Sequence, residues 1–164
     1  MAGSITADVF RVERSTTIAA SPQAIFPYID DFHAWEVWSP YEKMDANLAK
    51  TYSGPPHGKG AAYGWVGKKA GSGRMEILQS DAPSKIVIQL DFSKPMTAHN
   101  TAEFSLEPHA SGTKVTWAMY GPNTFMSKVM GLFFSMDKLV GPQFEEGLAS
   151  LKRVSEERAG AVST

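Results

Sequence analysis

The chain has 164 residues and no cysteine, and its 16 Lys plus Arg against 17 Asp plus Glu leave a formal net charge of -1. Disulfides, thiolate metal sites and cysteine nucleophiles are excluded, and no block of like charge is offered to a nucleic acid backbone or an anionic lipid surface. A length of this order fits a single domain, here residues 1–164 with an ordered core over about 8–158, that buries roughly 70% of the surface its unfolded chain exposes.

The first residues, MAGSITADVF, lack a basic segment followed by an apolar one, and no apolar run reaches membrane-spanning length. The reading is a cytoplasmic protein that neither spans a membrane nor binds nucleic acid. Nine Phe, five Tyr, four Trp and eight Met are a large supply of wide side chains for this length. They pack a core rich in big residues, or they line a cavity.

From Val9 to Ala20 the sequence alternates, with Phe10, Val12, Thr16 and Ile18 in one phase, which suits a strand with one buried face. Arg14 shares that phase and has no apolar explanation. Ser21 before Pro22 is an N-cap followed by a first-turn proline, so a short helix is expected, with Ile25, Ile29 and Phe32 at helical spacing. A second short turn over Asp31 to Pro40 carries Trp35 and Trp38 as an aromatic plug.

Gly and Pro clusters then divide the chain into six runs of strand length: Leu48 to Ser53, Ala61 to Val66, Gly73 to Asp81, Lys85 to Phe92, Thr97 to Glu107 and Thr113 to Tyr120. The loops between them are short enough for antiparallel hairpins. After Gly121 and Pro122 the pattern is helical, with Phe125, Val129, Phe133, Met136, Val140, Phe144, Leu148 and Leu151 at three- and four-residue steps. Gly141 and Pro142 are expected to divide this element, the second part running to about Glu157 with fraying beyond it.

The strand over Thr97 to Glu107 is the most informative for function. Its inward phase reads Ala98, Asn100, Ala102, Phe104 and Leu106, which sets an amide among apolar neighbours with small residues on either side. A buried amide without a partner costs on the order of 1–3 kcal/mol, so a ligand, a water or a neighbouring side chain satisfies it. The same counting turns Tyr63 and Trp65, Met75 and Ile77, Ile88 and Leu90, and Val115, Trp117 and Met119 to the inner face.

Opposite them the segment Phe125 to Met136 is apolar almost all round. Its Met126, Met130 and Met136 suit either a shape-tolerant binding wall or a patch for a homodimer or partner contact. The candidate ligand-binding set is therefore Tyr63, Trp65, Met75, Ile77, Ile88, Leu90, Asn100, Phe104, Trp117, Met119, Met130 and Phe144.

No catalytic motif is present. His33, His57, His99 and His109 are isolated, His99 falls on the outward phase, and no metal site is expected. The segment GPPHGKG (Gly54 to Gly60) lacks the spacing and the hydroxyl residue of a phosphate loop and reads as a hairpin turn. Glu76 and Glu103 read as solvated surface charges. No cofactor is implied.

The segments VERSTTIAASPQAIFPYIDDFHAWEVWSP (Val12 to Pro40), GSGRMEI (Gly71 to Ile77), NTAEFSLEP (Asn100 to Pro108), GTKVTW (Gly112 to Trp117) and GLFFSMDKLVGPQFEEGLASLK (Gly131 to Lys152) occur in order over nearly the whole chain. Together they resemble the polyketide cyclase/dehydrase branch of the START-like (SRPBCC) superfamily. The resemblance implies an α+β helix-grip fold, a seven-stranded curved antiparallel sheet wrapped around a long C-terminal helix, with two short helices after the first strand. It also implies that lipids, polyketides or aromatic compounds are the ligands, held in an internal cavity, and that a minority of members act as cyclases or dehydratases there. The expected function is binding of a small hydrophobic molecule. A polyketide cyclase/dehydratase in the same cavity and a regulatory or chaperone-like interaction module are the alternatives.

Overall fold

The computed structural model describes residues 9–43, 48–68, 71–94, 97–122 and 136–163. Strand β1 (Val9–Ile18) leads into helix α1 (Pro22–Asp30) and two 3-10 turns, Phe32–Val37 and Pro40–Lys43. Six strands follow: β2 (Ala49–Ser53), β3 (Ala62–Gly67), β4 (Gly71–Asp81), β5 (Lys85–Lys94), β6 (Ala98–His109) and β7 (Gly112–Pro122), and then helix α2 (Met136–Ser163). All seven strands form one antiparallel sheet in the order β1-β7-β6-β5-β4-β3-β2. The seven-stranded curved sheet, the short helical elements after β1 and the long C-terminal helix match the expected α+β helix-grip architecture.

Local chemistry sets the boundaries as the sequence suggests. The Ser21 hydroxyl accepts from the Ala24 amide at 3.2 Å, so α1 starts with a capped amide and with a proline that lacks the donor a first turn cannot use. Trp35 and Trp38 donate their indole N–H groups to the carbonyls of Ile29 (2.9 Å) and Tyr28 (2.8 Å), so both rings are buried without an unmet donor. GPPHGKG is the turn joining β2 to β3, as expected.

Strand β4 contains a bulge between Ile77 and Gln79. The extra residue, Leu78, is exposed, and the bulge reverses the phase beyond it, so Ser80 lies inward and donates to Asp30 Oδ1 of α1 at 2.7 Å.

Two expectations for the C-terminal helix are corrected. The helix runs unbroken through Gly141 and Pro142 and continues to Ser163. Pro142 is on the exposed side and forgoes a single backbone bond. Gly141 is buried, with the Arg14 guanidinium packed against it in the space a Cβ would take, and it does not end the helix.

Arg14, the charged residue in the inward phase of β1, donates from Nε to Glu145 Oε2 at 2.7 Å and from Nη1 to the Glu13 carbonyl at 2.8 Å. Glu145 thereby ties α2 to the edge strand β1 of the sheet.

A second tie lies further along α2. Glu156 accepts from the Ala19 amide at 2.8 Å and from Lys152 Nζ at 2.7 Å, and Lys152 also donates to the Thr17 carbonyl at 2.9 Å. The Ala19 amide first, and then Lys152, hold the Glu156 carboxyl below its ordinary value of 4.5. A depressed folded-state pKa adds stability that is fully present above the ordinary value and is lost as pH falls through the lower one. Urea midpoints measured from about pH 6 down to about pH 3 should therefore show an acid-side loss that is smaller in Glu156→Gln. An equal acid limb in the variant would remove Glu156 from this role.

Candidate functional site

The pairing registers arrange the concave face of the sheet into rows. The outermost row runs Lys50, Trp65, Gly73, Phe92, Ala98. The next holds Tyr52, Tyr63, Met75, Leu90 and Asn100, with Gly121 and Phe10 paired on its far side. Then come Ile77, Ile88, Ala102, Met119 and Val12, and beyond them Ile86, Phe104, Trp117 and Arg14. The inward set expected from strand phase is thus found on this one face, from Tyr63 on β3 to Met119 on β7.

Burial changes along these rows. Ile77, Ile88, Val12, Ile86 and Phe104 have no exposed surface, whereas Phe10, Trp65, Leu90, Phe92, Ala98 and Asn100 are only half-buried. The closed end is filled by rings. Trp117 stacks on Phe144 of α2 with centroids 4.0 Å apart and on Phe104 at 5.0 Å, while Trp35 and Trp38 meet these rings edge-on. Phe104, Trp117 and Phe144 of the expected ligand set therefore pack on one another. Met130 lies outside the described residues, as does most of the apolar segment Phe125 to Met136.

At the half-buried end, glycines decide how the polar and aromatic groups lie. The six-membered ring of Trp65 lies over Gly73, where a Cβ would come within 2.6 Å of Cη2 and Cζ2, and the Trp65 and Phe92 rings meet at 83° with centroids 5.8 Å apart. The Asn100 amide oxygen lies directly over Gly121, in space that any side chain at 121 would occupy. Asn100 is therefore held flat against β7 with apolar Leu90 beside it. Tyr63 is buried and stacks on Tyr52 at 5.2 Å, and Tyr52 stacks in turn on His33 at 3.9 Å. Lys50 shares the outermost row and pairs with Glu36 at 2.9 Å, so the rim carries a cation that the sequence reading passed over because β2 is too short to show a phase.

The convex face carries further ionic pairs. Glu76 pairs with Arg74, Glu103 with Lys85 and the Tyr120 hydroxyl, and His99 with Asp91. Burial, with the adjacent Glu103 second, raises the Tyr120 pKa above its ordinary value. Among the described residues no cluster of three or more His, Asp or Glu is arranged to hold a metal ion. No helix among them is long and apolar enough to cross a membrane.

A cleft of about 80 Å³ opens on the other side of the Tyr52 ring, between the first 3-10 turn and the β2–β3 turn, lined by Phe32, His33, Tyr52, Pro55, Pro56 and Ala61 among others. None of the expected ligand residues lines it, and it is far below the roughly 300 Å³ at which drug-sized ligands are accommodated.

The chain matches the family model for polyketide cyclase / dehydrase and lipid transport over residues 9–156. A search of curated proteins finds no match. Solved structures share the fold. A protein of unknown function from Staphylococcus aureus superposes with a TM-score of 0.67 at 11% identity, covering 92% of this chain and 96% of that one. A Chromobacterium violaceum protein gives 0.63 at 11% identity over 92% and 99%. The Aha1 protein of Colwellia psychrerythraea, itself a dimer in solution, gives 0.60 at 17% identity over 89% and 96%. With the family model covering nearly all of the folded region and the helix-grip architecture matched end to end, this chain belongs to the polyketide cyclase/dehydrase and lipid transport family of the START-like (SRPBCC) superfamily.

Proposed function

We propose that the protein binds a small hydrophobic molecule against the half-buried end of the concave sheet face. Trp65, Leu90, Phe92 and Asn100 form the contact surface, Met75 stands beside Leu90 in the same row and Met119 in the next, and the stacked rings of Phe104, Trp117 and Phe144 close the far end. The observation that carries this reading is the gradient of exposure along the inward rows. Apolar side chains are fully covered in the inner rows, whereas Trp65 and Phe92 in the outermost row and Phe10 and Leu90 in the next are half-open with Asn100 among them, Tyr63 and Met75 of that second row being buried.

A water-exposed apolar surface beside a filled core is the arrangement that a guest molecule completes. A ligand that removed ~400 Å² of apolar surface from water would gain ~10 kcal/mol, set against an association cost of ~4–15 kcal/mol. Affinities in the micromolar range, with loose selectivity, are the consequence.

The test is native mass spectrometry of the purified protein and of its organic extract, together with thermal shifts against a panel of a fatty acid, a sterol and a polyphenol. At least one panel member should raise the unfolding temperature by several degrees at saturating concentration, as binding to the native state alone requires. No extracted species and no shift with any member would contradict the reading.

A further inference from the structure

Resting on the ligand-binding reading above, we propose that Asn100, positioned by Gly121, donates a hydrogen bond to an uncharged carbonyl oxygen of the bound molecule. Asn100 stands in the half-open second row, opposite Leu90 of β5 and between Ala98 and Ala102 on the same face of β6. Both alanines end at Cβ, and the amide between them is only half-buried, so a molecule lying on Leu90 and Phe92 covers it. In the empty site its polar end meets water. A guest that displaces this water leaves the amide unbonded unless it brings a partner of its own.

Gly121 sets which end of the amide is presented. Its backbone is not in the left-handed region, so other residues could adopt the same conformation, and what the glycine contributes is space. A Cβ there would overlap Asn100 Oδ1 and lie 3.2 Å from Cγ. The amide oxygen is thus laid against β7, and the nitrogen with its two N–H donors is the end turned away from β7, on the Leu90 side of β6.

The rest of the surface agrees with a guest that accepts. Trp65, the other polar side chain of the contact surface, carries a donor only, at its indole nitrogen. Lys50 and Arg14, the cations of these rows, are already paired with the carboxylates of Glu36 and Glu145. A carboxylate guest would compete with those acids for its counterion, and among apolar walls its desolvation would oppose binding. A ketone or ester oxygen meets neither obstacle and matches the amide donor.

Calorimetric titration with acetylnaphthalene and with isopropenylnaphthalene, which replaces the ketone oxygen by a methylene, isolates the proposed bond. The ratio of ketone to alkene affinity should be about three- to tenfold larger in the wild type than in Asn100→Leu, the worth of one neutral hydrogen bond. Gly121→Ala keeps the amide but pushes it out of its place, and it should lose the same factor, with no further loss in the double variant. A ratio unchanged in Asn100→Leu, or lost there but retained in Gly121→Ala, overturns the assignment and leaves the binding reading standing. Failure of the wild type to bind either compound also overturns the assignment. If the fatty acid, sterol and polyphenol panel gives no response either, the binding reading falls with it.

Discussion

Replacing Trp117 by alanine is expected to lower the unfolding free energy by ~3–5 kcal/mol, the cost of deleting a large buried ring and leaving the cavity behind it. The indole touches Phe104 and Phe144 face to face and Trp35, Trp38 and Tyr41 at its edges, and its rim lies 2.8 Å from where a Cβ on Gly147 would be. Five aromatic neighbours from β6, α2 and both 3-10 turns lose their common contact at once, and neither the sheet nor the helix can close the gap by a small shift.

For a domain whose total stability is ~5–15 kcal/mol, this is a large share. Urea unfolding of the two proteins, with equal slopes, measures it. A loss below ~1.5 kcal/mol would mean that the rings do not fill this end, and the division of the concave face into a filled half and a binding half would fall with it.

The second large effect concerns binding and leaves folding nearly untouched. Ala98 sits in the outermost row opposite Phe92, is half-buried, and lies on the same face as Asn100. Ala98→Trp puts a wide ring into the space proposed for the guest. Because the position is open toward that space, the added ring is accommodated without overpacking the core. Affinity for the panel compound that binds most tightly should fall by at least about tenfold, corresponding to ~1.4 kcal/mol, while the unfolding temperature stays within a few degrees of the wild type. Unchanged affinity in a folded Ala98→Trp variant would place the ligand elsewhere.

Much of this architecture is legible in the sequence because each signal is local. Alternation and Gly/Pro punctuation locate all seven strands, with ends displaced by a few residues where the ladder continues through the punctuation, as at Pro108, which pairs with Thr113, and Gly71, which pairs with Gly67. The inward phase of β6, and hence the place of Asn100, follows from the two-residue period alone.

The features that escape depend on contacts between distant parts of the chain. Arg14 looks out of place until Glu145, 131 residues later, is brought against it. Gly141 beside Pro142 has the local signature of a helix break, yet the helix continues and the Arg14 guanidinium packs against Gly141. The bulge at Leu78 carries no Gly or Pro to announce it, so the inward place of Ser80 beyond it has no sequence signal. Within the candidate site, phase shows which side chains face inward but not how deeply the helix covers each row. Phase sets Phe104 and Trp117 on the same face as Leu90 and Asn100 without showing that these two rings stack with Phe144 of α2.

The central claim is that a guest lies on the half-buried end of the concave face. The most direct measurement is a set of intermolecular nuclear Overhauser contacts between a bound panel compound and the isotopically labelled protein. The account predicts contacts to the side chains of Leu90, Phe92, Ala98 and Met119, and none to Trp35 or Trp38 behind the ring stack. Contacts confined to the cleft beside His33 and Pro55 would contradict it.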